Sequence, residues 1–460
     1  MLFSSLEFIF LFFPIFIIIY YIIPNKYRNY VLLLGSLIFY FIGVKNMPTY
    51  FLLVIISTLI NYLFGILIGN NKKKLYLSLG IIYNFGILFI FKYFNFFSSM
   101  ISNVIRIKPI IVDLILPLGI SFYTFQLVSY LIDVYKGKYE YEKSLIKFST
   151  YSLMFTKFIS GPITKYDETK KYLDRKEENN IYNIELGIKY FVIGLGFKVL
   201  LANRVGSVWS SANNIGFDGI SSIFAILAII SYSLQLYFDF HGYTMMAIGI
   251  GKILGMELPS NFDHPYISRS MTEFWRRWHI TLGNWFKEYI YIPLGGNRKG
   301  TIKTIINLLI VWLFTGLWHG ADYNFIIWGI SLFVIIVIEK LFLKKFLDKH
   351  KIISHLYMII LIPLSWSIFA VSDFSNLSTL LYKVTHFTSM GIDKYDYIKC
   401  LKDYGLFIVL GIIFSTKLPL IIYNKNKYKW IELVIILIIF WLSIYVLCIE
   451  SNDPFMYFKF

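Results

Sequence analysis

The sequence predicts an all-α, polytopic integral membrane protein, and two observations lead to this prediction. Of the 460 residues, 57% are hydrophobic and 15% are charged, and the mean hydropathy is +0.64. This composition is too apolar for a water-soluble chain of this length. Uncharged apolar runs also recur, many of them at about 17 to 25 residues, the length that a helix needs to cross ~30 Å of hydrocarbon. Helices satisfy their own backbone hydrogen bonds, as lipid requires, so each run predicts a helix.

The apolar runs predict roughly eleven to thirteen membrane-embedded helices. Some runs are too short to span a bilayer and predict re-entrant segments. The first run has neither a basic region before it nor a small-residue cleavage site, so we expect a retained helix there rather than a signal peptide. The runs cover residues 8–24, 31–44, 47–71, 75–91, 114–132, 188–197, 220–238, 305–318, 323–338, 356–371, 404–416 and 433–449.

The positive charge lies in short loops between the apolar runs. The formal net charge is +17, but the basic residues form no continuous soluble face, which argues against a nucleic-acid partner. The positive-inside bias of membrane proteins explains them instead. Basic clusters at 72–74, 340–351 and 425–429 each follow a helix that runs inward if the N-terminus is outside. This parity predicts that the N-terminus and the segment 450–460 are both extracytoplasmic.

One membrane domain over residues 1–460 is predicted, with a motif-rich core at about 115–340 and a C-terminal tail at 450–460. No internal repeat or Gly/Ser-rich linker divides the chain. The two cysteines, Cys400 and Cys448, are far apart and lie outside any metal-binding or disulfide spacing. We therefore expect both to be packing residues.

The segment 232–320 differs from the rest of the chain because aromatic, charged and glycine residues alternate in it. This pattern is typical of helices that line a cavity or lie at the membrane interface. On one helix, Trp275, Trp278 and His279 share a face. An ionisable group at membrane depth costs ~2.5 to 3.5 kcal/mol on insertion scales, so His279 and His319 are candidates for a functional site.

Eight short motifs are distributed over nearly the whole chain. They are PLGISFYTF at 117–125, SGPI at 160–163, FDFHGY at 238–243, LPSNF at 258–262, FWRRWH at 274–279, YIPLGGNR at 291–298, LWHG at 317–320 and PFMYFKF at 454–460. Together they resemble the membrane-bound O-acyltransferase family, and in particular its branch that acetylates alginate, peptidoglycan and cellulose. Each motif alone is weak, whereas the set is highly specific.

The sequence departs from the acetylating branch just after Phe240. The resemblance implies a small residue there and an acidic one shortly afterwards, but His241 and Met245 occupy these positions. The D-alanyl-transferring branch of the family also lacks the acidic residue. The acyl group therefore stays open between acetyl and D-alanyl, although the motifs at 291–298 and around His319 favour acetyl.

The resemblance implies a helical bundle around a central acyl-transfer tunnel. It further implies that an acyl group passes from a cytoplasmic donor, foremost acetyl-CoA, to a cell-surface or secreted polysaccharide on the outer side. A secreted or membrane-anchored acetyltransferase would be the partner that completes this reaction. Acetyl-CoA is then a substrate, and no bound cofactor or metal is expected.

The resemblance also assigns roles to individual residues. His319 corresponds to the catalytic histidine of the family, and His279 to a second recurrent polar position. An imidazole with an ordinary pKa of ~6.5 can take a hydroxyl proton near neutral pH, which explains the choice of residue type. For His279, lining of the acyl site and a structural hydrogen bond are both open. The residues expected to line the cavity are Asp239, His241, Trp275, Trp278 and Trp318.

Two further sets of residues have alternative interpretations. Arg269, Arg276, Arg277 and Arg298 are candidates for binding the donor phosphates because arginine contacts phosphate in a bidentate way. For Arg276 and Arg277, the alternative is anchoring at the lipid interface. Tyr457 is either an acyl relay, which needs an adjacent base, or an aromatic interface anchor.

Two other function classes compete with acyl transfer. A polysaccharide-export transporter would also use broken helices and intramembrane polar residues. A non-catalytic scaffold would need no catalytic residues. The lack of an inverted repeat and the rarity of acidic residues within the helices count against ion-coupled transport. A metal site built from Asp239, His241, His264 and His279 lacks any recognised ligand spacing.

Overall fold

The computed structural model describes residues 1–71, 73–158, 161–174, 180–387, 390–425, 428–450 and 456, and most of these residues are helical. Within these ranges the structure has no β-strand, and one isolated bridge pairs Phe262 with Trp278. The predicted all-α fold is therefore confirmed. The short LPSNF and FWRRWH motifs meet at that bridge.

Seven helices in the described ranges are long and apolar enough to cross a membrane, or eight if one bent pair forms a single span. The bent pair, Asp396–Phe414 and Leu418–Lys425, turns by 73°. Several other predicted runs form helices that are shorter, such as Phe8–Ile22 and Arg28–Gly43. The protein is thus a multi-pass membrane protein. The seven spans are Pro48–Asn71, Lys74–Ile105, Ser222–Ile253, Thr301–His319, Tyr323–Lys349, Lys351–Ala370 and Lys429–Ile449.

The chain forms two units, and the first contains residues 1–191 and 244–259. Polar side chains join its helices: Asn61 and Asn84 donate their amides to each other's carbonyl oxygens at 3.1 and 2.7 Å. Such interhelical hydrogen bonds and close contacts at small residues hold helices together in lipid. The helices of this unit are Phe8–Phe12 (π), Phe13–Ile22, Asn25–Tyr27 (3₁₀), Arg28–Gly43, Pro48–Asn71, Lys74–Leu88, Phe89–Tyr93 (π), Phe94–Ile105, Ile120–Tyr135, Leu145–Leu153, Phe155–Phe158, Tyr166–Leu173 and most of Ile181–Gly196.

The second unit contains residues 192–243 and 260–460, and all the predicted site residues that the structure describes belong to it. It begins with the last turn of the helix Ile181–Gly196, which is followed by the π segment Phe197–Ala202, and most of the long helix Ser222–Ile253 also belongs to it. Its helices are Phe197–Ala202 (π), Asn203–Ile215, Ser222–Ile253, Pro265–Ile267 (3₁₀), Met271–Arg277, Ile280–Phe286, Lys287–Tyr291 (π), Thr301–His319, Tyr323–Ile338, Glu339–Leu343 (π), Lys344–Lys349, Lys351–Ala370, Phe374–Thr385, Asp396–Phe414, Leu418–Lys425 and Lys429–Ile449.

Two glycines allow the helices Thr301–His319 and Tyr323–Ile338 to pack closely as a hairpin. A Cβ atom on Gly316 would lie 2.4 Å from the Phe325 carbonyl oxygen, and one on Gly329 would lie 2.5 Å from the Trp312 carbonyl oxygen. Both distances are well below van der Waals contact. Small residues at such crossings let two backbones approach in lipid, and here the crossing fixes the end of the helix that carries His319.

Candidate functional site

His319 is the last residue of the helix Thr301–His319 and is buried, with 4% of its surface exposed. Three aromatic rings surround its imidazole. The ring centroids of Trp318, Trp328 and Phe369 lie 4.9, 5.1 and 5.2 Å away, each at close to a right angle. The imidazole is thus held in an apolar pocket at the end of a helix.

The turn after His319 explains the glycine in the LWHG motif. A Cβ atom on Gly320 would lie 2.1 Å from the Phe325 ring, so a side chain does not fit there. Two residues later, the Asp322 side chain accepts a hydrogen bond from the Tyr323 N–H at 2.6 Å and so begins the next helix. The amide of Asn324 donates to the Phe369 carbonyl at 2.8 Å. This network fixes the loop that presents His319.

His279 lies in a break between two short helices, Met271–Arg277 and Ile280–Phe286. Its backbone is left-handed, with φ 44° and ψ 54°. The prediction of one continuous helix through Trp275, Trp278 and His279 was therefore wrong. The break has a tertiary cause, because Asn261 accepts the N–H groups that a continuous helix would use internally.

Asn261 is fully buried and binds the start of the second short helix through two oxygens. Its carbonyl accepts the Ile280 N–H at 3.0 Å. Its side-chain oxygen accepts the Thr281 N–H at 3.2 Å and the Thr281 hydroxyl at 2.7 Å. Asn261 was seen in the sequence only as part of the LPSNF motif, and its role in shaping the site was missed.

The two candidate histidines, His279 and His319, contact the same tryptophan, Trp318. The Trp318 ring centroid is 4.9 Å from His319 and 5.8 Å from His279. His279 also contacts the Phe240 ring at 4.7 Å. Two of the residues predicted to be catalytic and one predicted to line the cavity are thus brought together, and all three are buried.

Burial lowers the pKa of the His279 imidazole from its usual 6.5 to about 3. The cause is desolvation, because an apolar surrounding disfavours the charged form. His279 is therefore neutral near pH 7, and one of its ring nitrogens carries a lone pair that can accept a proton or a hydrogen bond.

Trp275 and Trp278 belong to a cluster of aromatic rings behind the histidines. Trp278 packs against Trp366 at 4.9 Å, and Trp275 contacts Trp328 at 5.5 Å. Within the described part of the chain, the buried indole N–H groups of Trp275 and Trp328 have no hydrogen-bond acceptor. A buried donor without an acceptor is uncommon in proteins, and Trp328 directly contacts His319.

Asp239 and His241 lie on the helix Ser222–Ile253 and face different neighbours. The Asp239 carboxylate is 2.5 Å from the ammonium of Lys198 and accepts the Met456 N–H at 2.8 Å. The His241 ring stacks on the Tyr237 ring at 5.2 Å. Lys198 was not recognised from the sequence, where a lysine after an apolar run looks like an ordinary interface residue.

The arginines predicted to bind phosphate do not form one cluster of free cations. Arg277 is paired with the Asp263 and Glu273 carboxylates at 3.1 and 2.9 Å. Arg269 lies 3.9 Å from Glu273. Arg276 and Arg298 are exposed, on the helix Met271–Arg277 and on the turn before residue 300 respectively.

Glu339 is a buried carboxylate that sequence reasoning did not single out. It accepts the N–H groups of Met271 and Thr272 at 2.6 and 3.0 Å, and also the Thr272 hydroxyl at 2.9 Å. The Tyr357 hydroxyl is 3.2 Å away. A carboxylate at a helix N-terminus satisfies N–H groups that have no partner within the helix. Glu339 thus fixes the start of the short helix that leads to His279.

Two predictions concern metal ions and the tail. No group of three or more His, Cys, Asp or Glu side chains is arranged to hold a metal ion in the described ranges. Tyr457 lies outside the described residues, although its neighbour Met456 is described and buried.

Comparison with known proteins identifies the family of this chain. Residues 140–370 match the family model described as MBOAT, membrane-bound O-acyltransferase family, and this match includes both histidines. The chain belongs to the membrane-bound O-acyltransferase family. The prediction made from the eight motifs is therefore confirmed.

Several named members of the membrane-bound O-acyltransferase family are similar to this chain. The probable alginate O-acetylase AlgI of Azotobacter vinelandii is 37% identical over 72% of this chain and 66% of its own length. The peptidoglycan O-acetyltransferase of Helicobacter pylori is 32% identical over 100% of this chain and 98% of its own. The teichoic acid D-alanyltransferase of Streptococcus thermophilus is 31% identical over 50% of this chain and 58% of its own. The chain thus spans slightly less than two thirds of the Azotobacter alginate relative.

Proposed function

We propose that this protein is an O-acyltransferase that moves an acetyl group from cytoplasmic acetyl-CoA to a polysaccharide outside the membrane. The observation that supports this most directly is the pair of buried histidines that both contact Trp318, in a chain of the membrane-bound O-acyltransferase family. The names of the alginate and peptidoglycan relatives favour acetyl as the acyl group and a cell-surface glycan as the acceptor.

In the proposed reaction, His319 is the general base. Its imidazole takes the proton of an acceptor hydroxyl while the hydroxyl oxygen attacks the thioester carbonyl carbon. A C–O bond forms, the C–S bond breaks, and the leaving thiolate takes the proton back from the imidazolium. A positioned base of this kind contributes ~10²- to 10⁴-fold to the rate. The buried indole N–H of Trp328, in contact with His319, and the nearby indole N–H of Trp275 are suitable donors for the oxygen that becomes negative in the tetrahedral intermediate.

His279 has a supporting role in this proposal. Its neutral imidazole contacts the same indole as His319 and can accept a hydrogen bond from the substrate or from Trp318. Asp239, His241, Trp275, Trp278 and Trp318 are proposed to line the acyl site. Tyr457, which follows Met456 in the sequence, is a candidate carrier of the acyl group to a secreted or membrane-anchored partner transferase.

The proposed phosphate-binding arginines differ in whether a carboxylate of the protein is already next to them. Arg276 and Arg298 are exposed and can contact the phosphates of the donor directly. Arg269 and Arg277 are next to carboxylates, so phosphate binding there would require an exchange of partners. We therefore propose Arg276 and Arg298 as the first contacts on the cytoplasmic side.

The test measures base-labile acetate on the cell-envelope and secreted polysaccharides of a strain that lacks the gene. The strain is complemented in parallel with the wild-type protein or with a variant. His319→Gln is expected to lower the acetate content at least ~10²-fold relative to wild type, in line with loss of a general base. The matched control is His355→Gln, because His355 is exposed on the helix Lys351–Ala370. It is expected to restore wild-type acetate, and immunoblots should show equal amounts of all three proteins in the membrane.

Three results would contradict this proposal in different ways. Full acetate with His319→Gln would remove the catalytic role of this residue. Ester-linked D-alanine in place of acetate would shift the acyl group to that of the teichoic acid relatives. Purified protein that releases no free CoA from acetyl-CoA, with or without an acceptor glycan, would favour a transporter or scaffold.

A further inference from the structure

A buried ion pair connects two helical elements of the second unit. The Lys198 ammonium lies 2.5 Å from one oxygen of the Asp239 carboxylate, and these side chains are 5% and 2% exposed. Lys198 belongs to the π segment Phe197–Ala202, and Asp239 to the helix Ser222–Ile253. Desolvating two charges costs several kcal/mol per ion, and the pair is tolerated only when further hydrogen bonds complete its coordination.

The second oxygen of Asp239 has a partner that is very distant in sequence. The backbone N–H of Met456 donates to it at 2.8 Å, across 217 positions of the chain, and this contact is buried. Hydrogen bonds from a neutral N–H to a carboxylate are stronger than those between neutral groups. The ion pair therefore presents a ready acceptor to the main chain of the segment that follows the last helix.

The same segment has a second contact at its beginning. Glu450 directly follows the helix Lys429–Ile449, and its carboxylate lies 2.6 Å from the guanidinium of Arg204. Arg204 belongs to the helix Asn203–Ile215, which starts just after the π segment that carries Lys198. Residues 450 and 456 are thus both bound to the region around residues 198–204 and 239.

We propose that the Lys198–Asp239 pair is a docking site for Met456, which it recognises through the main-chain N–H of this residue. Lys198 holds the carboxylate in place, Asp239 binds Met456, and Arg204 binds Glu450. Tyr457 is the next residue, so Asp239 is a positioning residue for the proposed acyl relay. Only this last consequence rests on the proposed function, because docking itself can be measured without any activity.

Docking is tested by cysteine labelling of purified full-length protein in detergent. In a Cys400→Ser, Cys448→Ser background, Met456→Cys places a thiol at a position that is 8% exposed. Its reaction with a maleimide is expected to be at least tenfold faster when Asp239→Asn or Lys198→Met is added. The matched control is Asp403→Asn, an exposed carboxylate on the helix Asp396–Phe414, which is expected to leave the labelling rate as it was.

The labelling rates of the variants either support or overturn docking on the ion pair. Faster labelling with Asp239→Asn and Lys198→Met, but not with Asp403→Asn, supports docking on the ion pair. Equal labelling rates in all variants would overturn it. If either single variant fails to elute as a folded monodisperse protein, the double variant Lys198→Met, Asp239→Leu removes both charges together and is measured instead, with the same expected increase.

A proline substitution tests whether the main-chain N–H is the recognised group. Met456→Pro removes this N–H, whereas Met456→Ala keeps it. Polysaccharide acetylation is expected to fall at least tenfold more with Met456→Pro than with Met456→Ala. Equal effects of the two variants, in a strain where His319→Gln does abolish acetylation, would overturn the role of the N–H. If His319→Gln has no effect while labelling still depends on Asp239, the catalytic role of His319 fails and docking stands.

Discussion

Two buried carboxylates of the second unit are stabilised in different ways. Asp239 is next to the cation Lys198, whereas none of the ion pairs of the described residues involves Glu339. Glu339 instead accepts two N–H groups and a hydroxyl at the start of the helix Met271–Arg277, and the Tyr357 hydroxyl. The first arrangement depends on one opposite charge and one N–H donor, and the second depends on several weaker donors. Loss of a single group should therefore harm the first more than the second.

The largest effect is expected for Lys198→Met. This variant leaves the Asp239 carboxylate buried without its cation, which typically costs about 3–5 kcal/mol. The free energy of unfolding in detergent, followed by denaturant titration, measures the loss. The double variant Lys198→Met, Asp239→Leu should recover most of it because no charge is then buried. A single variant as stable as wild type would mean that the pair is not desolvated as the structure shows.

A smaller loss is expected for Glu339→Ala. The N–H groups of Met271 and Thr272 would lose their acceptor, and an unsatisfied buried donor costs about 1–3 kcal/mol. Glu339→Gln keeps one acceptor oxygen and should lose less stability. The same unfolding titration compares the two variants. If Gln proves as damaging as Ala, then the negative charge rather than the acceptor geometry is what the helix start requires.

His279 provides a third case, an ionisable group that is buried in its neutral form. Its folded-state pKa of about 3 lies below the ordinary 6.5, so its contribution to stability is present above pH 6.5 and decreases as the pH falls toward 3. Between pH 8 and pH 5.5 this amounts to about 1.4 kcal/mol. His279→Gln should remove that part of the pH dependence of the free energy of unfolding. If the decrease in this free energy below pH 6.5 is the same in the variant as in wild type, His279 is not buried in its neutral form.

The smallest effect is expected for Thr272→Val, which nearly keeps the side-chain volume. It removes one hydroxyl donor to Glu339 while both N–H donors remain. The loss should be about 1 kcal/mol, the typical net contribution of one hydrogen bond. A shift in thermal midpoint relative to Glu339→Ala measures it. A loss as large as that of Glu339→Ala would show that Thr272 dominates the binding of the carboxylate.

The helices could be predicted from the sequence because lipid leaves the backbone few alternatives. Apolar runs such as 47–71 and 323–338 correspond closely to Pro48–Asn71 and Tyr323–Ile338. The motifs around His279 and His319 are specific as a set, and they likewise indicated both residues as candidates for the site. Their common contact with Trp318 could not be deduced from spacing, because it depends on how separate helices meet.

The break at His279 and the roles of Lys198 and Glu339 could not be predicted. Helical spacing describes hydrogen bonds within one segment, whereas Asn261 takes over the N–H groups of Ile280 and Thr281 from elsewhere in the chain. Glu339 is the acidic residue directly before the basic cluster 340–351, so its sequence context suggests a solvated loop. A buried carboxylate is recognisable only from its donors, which come from other helices.

Both Lys198 and Glu339 lie on π-helical turns, Phe197–Ala202 and Glu339–Leu343. A π turn accommodates one residue more than an α-helical turn and often occurs at functional sites. The wider turn absorbs that extra residue, so removing one residue from either turn would leave an ordinary α-helical turn with the helix beyond it in nearly the same orientation. A single-codon deletion would thus remove the local widening that carries the buried charge without changing any other residue. In related chains, one-residue gaps should therefore fall within these two turns. Such gaps would distinguish chains that retain these two buried charges from chains that do not.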